Sequence, residues 1–293
     1  MKTVALLPAG SVSDEAARHL FAGEQINWKY HRLISDVFLS TANGISTYSI
    51  IPTENTIEGS VSLHMDWLVH EVDLPIQAEW VYPSIQNLIG NYGEFRFSNG
   101  EVDYSKIKKV ISHPVAMAQC LKFLNEHLPH AEREHASSTA EAVKLVSKQP
   151  GEGVVALGTL IAASLNQLDV LAKSVTDHNN NFTRFALVGK EPYKARTSNR
   201  IKTSILITLP EDYPGALHQV LSAFAWRRIN LTRIESRPTK KKLGNYYFYI
   251  DIEMSLDSVL LPAALQEVEA IGCQVRVLGC YPVFSYEQLC MQE

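Results

Sequence analysis

At residues 190–200 the chain reads KEPYKARTSNR, polar and charged with one proline and no apolar period, and the rhythm of the sequence differs on its two sides. Such a segment reads as an interdomain linker, which restricts the chain to two separately built domains. The expected division is an N-terminal domain over 1–190, a linker at 191–200, a second domain over 201–282 and a tail at 283–293. A length of 293 residues suits that number of domains, at roughly 100–200 residues each.

Before the linker, short β-branched or apolar runs at 3–7, 47–51, 110–112 and 153–157 are each followed by a helix-like stretch. This alternation predicts an α/β domain with mainly parallel strands. After the linker, 203–209, 230–237, 246–253 and 273–281 alternate as strands, while 214–228 and 258–270 carry apolar residues at helical spacing. The order βαββαβ predicts a ferredoxin-like sandwich of about 80 residues. Its charged stretch TKKKLGN, 239–245, reads as a solvated hairpin loop.

With 46% hydrophobic residues and 27 basic against 31 acidic side chains, the chain is too apolar and too weakly charged to be disordered. A pI near 6.2 gives no global attraction for nucleic acid or anionic membranes, so neither is expected as a partner. The longest mostly apolar stretch, 153–165, falls short of the roughly 20 residues that span a bilayer. The apolar run 4–9 is shorter than the core of a secretory signal, and four cysteines without CxxC spacing read as reduced thiols. A cytoplasmic location is the expectation.

Four strand-to-helix junctions place small hydroxyl or amide residues where a helix begins: PAGSVSDEAA (8–17), PTENTIEG (52–59), SHPVAMAQC (112–120) and SSTAEAV (137–143). Taken singly they are caps. Ser138 and Glu141 have capping-box spacing, and Pro114 suits a first helical position. Together they suggest a small carboxylate ligand, because α/β sheets bind ligands beyond the carboxyl ends of their strands, where helix N-termini offer unpaired N–H groups. None of the four is Gly-rich in the manner of phosphate-binding loops, so no nucleotide cofactor is expected. A fifth segment, TDHNNNFTRFALVGK (176–190), sets Asn179, Asn180, Asn181, Thr183 and Arg184 before an apolar strand, and Arg184 suits a planar carboxylate.

EHLPHAEREH (126–135) gathers His127, His130 and His135 with Glu126, Glu132 and Glu134, but it is not HExxH, and no metal is expected there. His64 and His70 read as packing or surface residues, and Cys120 as a buried small apolar one.

The set PTENTIEG, SHPVAMAQC, SSTAEAV and NNFTRFALVGK, in that order, resembles the prephenate dehydratase family, whose pattern includes Asn-x-Thr-Arg-Phe. YPGALHQVLSAFAWRRINLTRIESRP is similar to the regulatory ACT domain of that family, with its GALH and ESRP motifs. The resemblance implies a catalytic domain of two α/β lobes around a cleft, as in periplasmic binding proteins, followed by the ACT domain. The chain is expected to cross between lobes near 77–82 and return near 170–180.

The implied reaction removes hydroxide and carbon dioxide from prephenate to give phenylpyruvate, with Thr183 as the essential hydroxyl. By motif matching Asn55, Ser112 and Gln119 are implied polar contacts, and Glu54 and Arg184 also carry over. Ser11, Ser13, Thr56, Ser138, Thr139 and Phe185 are further implied substrate neighbours. The resemblance also implies that phenylalanine binds at Gly215, Ala216, Leu217 and His218 together with Glu235, Ser236, Arg237 and Pro238. It would do so where two subunits of a homodimer or homotetramer meet. The chain departs from the family at LPAGSVS, where Leu7 replaces a usual Gly, and at PTENT, which replaces PIENS through Thr53 and Thr56. Arogenate dehydratase and a non-catalytic amino-acid sensor remain the alternatives.

Overall fold

A computed structural model describes residues 1–97, 99–178, 180–194, 196–211, 213–239 and 246–290. The TKKKLGN loop from residue 240 onward, Asn179 and the last three residues of the expected tail lie outside the described residues. Two compact units emerge: residues 1–71, 81–185 and 286–293 in one, 72–80 and 186–285 in the other.

The first unit begins with β1 (Lys2–Leu6), α1 (Val12–Leu20), β2 (Ile26–Tyr30), α2 (Ile34–Ala42), β3 (Tyr48–Asn55), β4 (Gly59–Ser60), α3 (Ser62–His70) and β5 (Ile76–Pro83). β1 pairs in parallel with both β2 and β3. β1 ends in Val4, Ala5 and Leu6, fully buried as an interior parallel strand requires. α1 starts where Ser11 caps the Asp14 N–H, with Asp14 and Glu15 in its first turn to complement the helix dipole.

A second lobe follows, with β6 (Asn87–Gly90), β7 (Lys109–Ser112), α4 (Pro114–Gln119), α5 (Leu121–His127), β8 (Glu132–His135), α6 (Thr139–Val146), β9 (Val154–Gly158), α7 (Leu160–Leu165) and β10 (Asp169–Ala172). Its sheet has the order β10-β6-β9-β7-β8. β7 runs parallel to β8 and β9, whereas β6 is antiparallel to β9 and β10. β11 (Phe182–Val188) then returns to lie beside β3. The crossing between lobes falls at 84–86, just beyond the expected 77–82, because β5 continues to Pro83. The return falls at 173–181.

In the second unit, β12 (Ile201–Thr208), α8 (Ala216–Ala225), β13 (Leu231–Pro238), β14 (Tyr246–Ile252), α9 (Leu260–Ala270) and β15 (Gln274–Phe284) form the βαββαβ sandwich. Ile205, Ile207, Ile250 and Ile252 meet Val220, Phe224, Leu261 and Val268 of the helices in one apolar core. The other strand positions carry buried polar groups, among them Lys202, Ser204, Tyr249 and Asp251.

The two units do not follow chain order. β15 extends past the alternating run to Phe284 and pairs in parallel with β5, Val283 with Glu79 and Phe284 with Trp80. Gly279 permits this: a Cβ there would lie 2.3 Å from the Ile76 carbonyl oxygen. Beyond it, α10 (Tyr286–Cys290) belongs to the first unit, where the Tyr286 ring lies 5.2 Å from that of His19 and 5.5 Å from that of Tyr82.

Candidate active site

Because the strands within each lobe that carry the four junctions run parallel, the junctions lie at strand carboxyl ends, and the two lobes meet there. Thr159 caps α7 and donates to the Gly10 carbonyl at 2.7 Å, and Glu15 accepts from the Ile161 N–H at 3.2 Å. Gly10 has φ +79°, and a Cβ on it would sit 3.1 Å from Ala162, so only glycine fits this turn. The buried Asp14 carboxylate holds the turn by accepting from the Gly10 N–H at 2.9 Å and from Arg18 and Tyr30 at 3.0 Å each. Burial pushes the Glu15 carboxyl above its usual value, opposed by the N–H groups of Ile161 and Leu160. Tyr30 is pushed up to about 12 by burial and by Asp14.

Thr183 lies at the centre of a polar chain that joins β3, the crossing segment and β11. The Asn55 side-chain amide donates to Thr183 Oγ1 at 3.0 Å, to Asn181 Oδ1 at 2.9 Å and to the Phe182 carbonyl at 3.2 Å. Its Oδ1 accepts from the N–H groups of Ile57 and Glu58 at 2.9 and 3.1 Å. Asn181 donates to Gln119 Oε1 at 3.0 Å, and Gln119 reaches Glu58 at 3.4 Å. Ser84 Oγ is 2.6 Å from Thr183 Oγ1. Thr183, Asn55 and Gln119 are thus linked in one network, Gln119 through Asn181. Both polar ends of Asn55 are spent on neighbours, so its geometry is that of a positioning group.

Other expected residues are committed elsewhere. Ser112 is fully buried and donates to the Leu157 carbonyl at 3.0 Å within its sheet. Ser11 and Ser138 cap α1 and α6, Thr139 is the first residue of α6, and Ser13 is buried on α1. Thr56 ties β11 down, donating to the Asn180 carbonyl at 2.7 Å and accepting from the Phe182 N–H at 2.9 Å. Phe185 is 1% exposed, a core side chain, as expected for alternation along β11. Arg184 lies 3.0 Å from Glu54, so its charge is already matched by a carboxylate. Thr53, at a family departure, is buried and donates to the Arg184 carbonyl at 3.3 Å.

Ser84, Glu58 and the Asp14–Glu15 pair were not singled out from the sequence, and Asn181 was named only as part of the polar segment before β11. Asn181 stood in the NNNFTR run; Ser84 had only the Pro83-Ser84 junction at the end of a strand to mark it. His64 Nδ1 lies 2.8 Å from the Pro52 carbonyl, so that nitrogen carries the proton, and burial lowers the pKa of the imidazole, keeping it neutral at pH 7. Burial pushes the Cys120 thiol up to about 12, which leaves it unreactive.

In the second unit, Gly215 begins α8 with φ +93°, Ala216 is buried, and Glu235–Pro238 closes β13. Thr208 pairs with Tyr247, which pairs with Arg237, so the end of β12 that leads to GALH and the ESRP end of β13 lie at the same end of the sheet. Glu235 is 2.6 Å from Arg233 and 4.0 Å from Arg237.

Around residues 126–135, Lys109 pairs with Glu132 and Glu134, and His127 stacks on Phe123 and Tyr104. Among the described residues no group of three His, Cys, Asp or Glu side chains could hold a metal, and no helix is long and apolar enough to cross a membrane.

Comparison with known proteins bears on this geometry. The sequence profile of the prephenate dehydratase family matches residues 4–193, and that of the ACT domain matches 203–272. The prephenate dehydratase of Bacillus subtilis (strain 168) is 39% identical over 291 residues, which cover 97% of this chain and 100% of that protein. That of Methanocaldococcus jannaschii is 39% identical over 281 residues, covering 95% and 97%. Among solved structures, the prephenate dehydratase of Arthrobacter aurescens in complex with L-Phe has a TM-score of 0.83 at 30% identity, covering 96% of this chain and 89% of that one.

Proposed function

The chain belongs to the prephenate dehydratase family, and on that premise we propose that the polar chain around Thr183 is the centre at which prephenate loses hydroxide and carbon dioxide. The reaction is a lyase step giving phenylpyruvate, driven by aromatisation of the ring. The observation that carries the assignment of roles is the Thr183 hydroxyl, 9% exposed and held by Asn55 at 3.0 Å. A hydroxyl has one proton to give and two lone pairs to fill. Among the described residues no carbonyl or carboxylate takes the Thr183 proton, so it is available to the departing hydroxyl of the substrate.

In this reading Asn55, Asn181 and Gln119 are positioning residues that hold Thr183 and the start of β11. Glu54 keeps the Arg184 guanidinium oriented at the mouth of β3. The enzyme acts in the cytoplasm as a homodimer or larger homo-oligomer, and L-phenylalanine inhibits it by binding at Gly215–His218 and Glu235–Pro238, with a coupling of about 1–3 kcal/mol. The L-Phe complex of the Arthrobacter aurescens relative supports the effector.

The test is phenylpyruvate formation from prephenate by the wild type and Thr183→Ala, each with and without phenylalanine. Turnover is expected to fall roughly 10²-fold or more in the folded variant, and the wild type to be inhibited by phenylalanine. Full activity of Thr183→Ala would overturn the assignment. An inactive wild type that turns over arogenate would identify the amino analogue as substrate.

A further inference from the structure

We propose that Ser84 is a positioning residue for the reaction, its hydroxyl donating to Thr183 Oγ1 so that the threonine proton is aimed at the leaving oxygen. The inference rests on the reading of Thr183 as the donor and adds a residue to it.

The geometry that supports it is a clamp. Ser84 donates its backbone N–H to the Asn181 carbonyl at 2.8 Å, and its own carbonyl accepts from the Asn181 side chain at 3.1 Å. Asn181 lies two residues before Thr183, so the clamp fixes the crossing segment against the residue that begins β11. Ser84 is 6% exposed, which denies its hydroxyl a partner in bulk water. Among the described residues its side chain hydrogen-bonds to Thr183, at 2.6 Å.

The contact admits either hydroxyl as donor, and counting lone pairs shows what the proposed sense achieves. Asn55 fills one lone pair of Thr183 Oγ1, and Ser84 as donor fills the second, leaving only the threonine proton uncommitted. The opposite sense would spend the Thr183 proton on Ser84 and leave the serine proton uncommitted in its place. A donor on its oxygen also polarises the Thr183 O–H, because bonds in a hydroxyl chain strengthen one another. Ser84 therefore does two things, selecting the direction of one proton and making it a better donor, without contact to the reacting atoms.

The test compares Ser84→Ala, Ser84→Cys, Thr183→Ala and the Ser84→Ala/Thr183→Ala double variant in steady-state turnover of prephenate, with folding checked by circular dichroism. Loss of orientation predicts a fall in kcat of about 10- to 100-fold in Ser84→Ala, with KM within about twofold of wild type. Ser84→Cys, which keeps a weak donor, is expected to lie between the two, and it carries the test should Ser84→Ala fold poorly. The double variant is expected to be no slower than Thr183→Ala, since the serine acts only through the threonine. A kcat for Ser84→Ala within twofold of wild type overturns the proposal, as does, should that variant not fold, a Ser84→Cys as fast as wild type, and as do losses that multiply in the double variant. If Thr183→Ala itself keeps full activity, the donor assignment has failed instead.

Discussion

Thr183 in the first unit and Ser204 in the second are both buried hydroxyls held by several neighbours, yet they are built for opposite ends. Ser204 donates to the Asp251 carboxylate and lies 2.6 Å from Tyr281 Oη and 3.1 Å from Tyr249 Oη. Burial, with the Asp251 charge, pushes both phenols well above their usual value, so they stay protonated and can donate to it. Every donor and acceptor of Ser204 is used. Around Thr183 the neighbours are an amide and a second hydroxyl, neither of which demands its proton. A carboxylate claims the proton of Ser204, whereas the role proposed for Thr183 needs a proton that no carboxylate claims.

The comparison is sharpened most strongly at the ion pair beside Ser204. Lys202 and Glu79 are 2.5 Å apart with side chains 8% and 6% exposed. Removing the cation in Lys202→Met takes the ion-pair partner from a buried carboxylate, which is expected to cost about 3–5 kcal/mol in urea unfolding. A cost below 1 kcal/mol would mean that the second unit tolerates unpaired polar groups and the contrast is not one of saturation. Next in size, Ser204→Ala is expected to lose about 1–3 kcal/mol of stability, because it removes a hydrogen bond to the buried Asp251 carboxylate. Thr183→Ala leaves Asn55 with two other acceptors, so its stability is expected to change by less than that of Ser204→Ala. The reverse order in chemical denaturation would break the comparison.

The smallest effect is a pH dependence at the junction between lobes. The carboxyl of Glu15 has a folded pKa raised above its unfolded value by burial, so the folded protein binds that proton more tightly. Its contribution to stability is fully present below the unfolded pKa and is lost as pH rises through the folded one. The stability of the wild type minus that of Glu15→Gln is therefore expected to decline from about pH 4 upward. A difference independent of pH would show that Glu15 titrates normally.

The strands and helices of both units were legible in apolar rhythm, since alternation at 246–253 and helical spacing at 258–270 report burial directly. Thr183 and Asn55 were legible only through motif resemblance. Ser84 was not, because nothing local marks a serine that gains its meaning from Asn181, 97 positions away. Ser112 stood in a matching motif, but its hydroxyl faces a strand neighbour that the motif does not contain. Nothing in the sequence marked Lys202 and Glu79, which become a buried pair in the sheet where β15 pairs with β5. The antiparallel β6 was hidden by its length, a buried run of four residues that carries no direction.

The placement of α10 has a consequence for how the molecule comes into being. Thr183 and Asn55 are separated by 128 positions, and Tyr286 packs against His19 and Tyr82 within the same unit. Contacts of such sequence separation form slowly, because a long loop must close before they give any return. On the ribosome the amino-terminal lobe must wait for nearly the whole chain to emerge before its last helix can dock. A nascent chain stalled before residue 286 would hold every residue of the polar chain around Thr183 and still lack part of the unit that supports it.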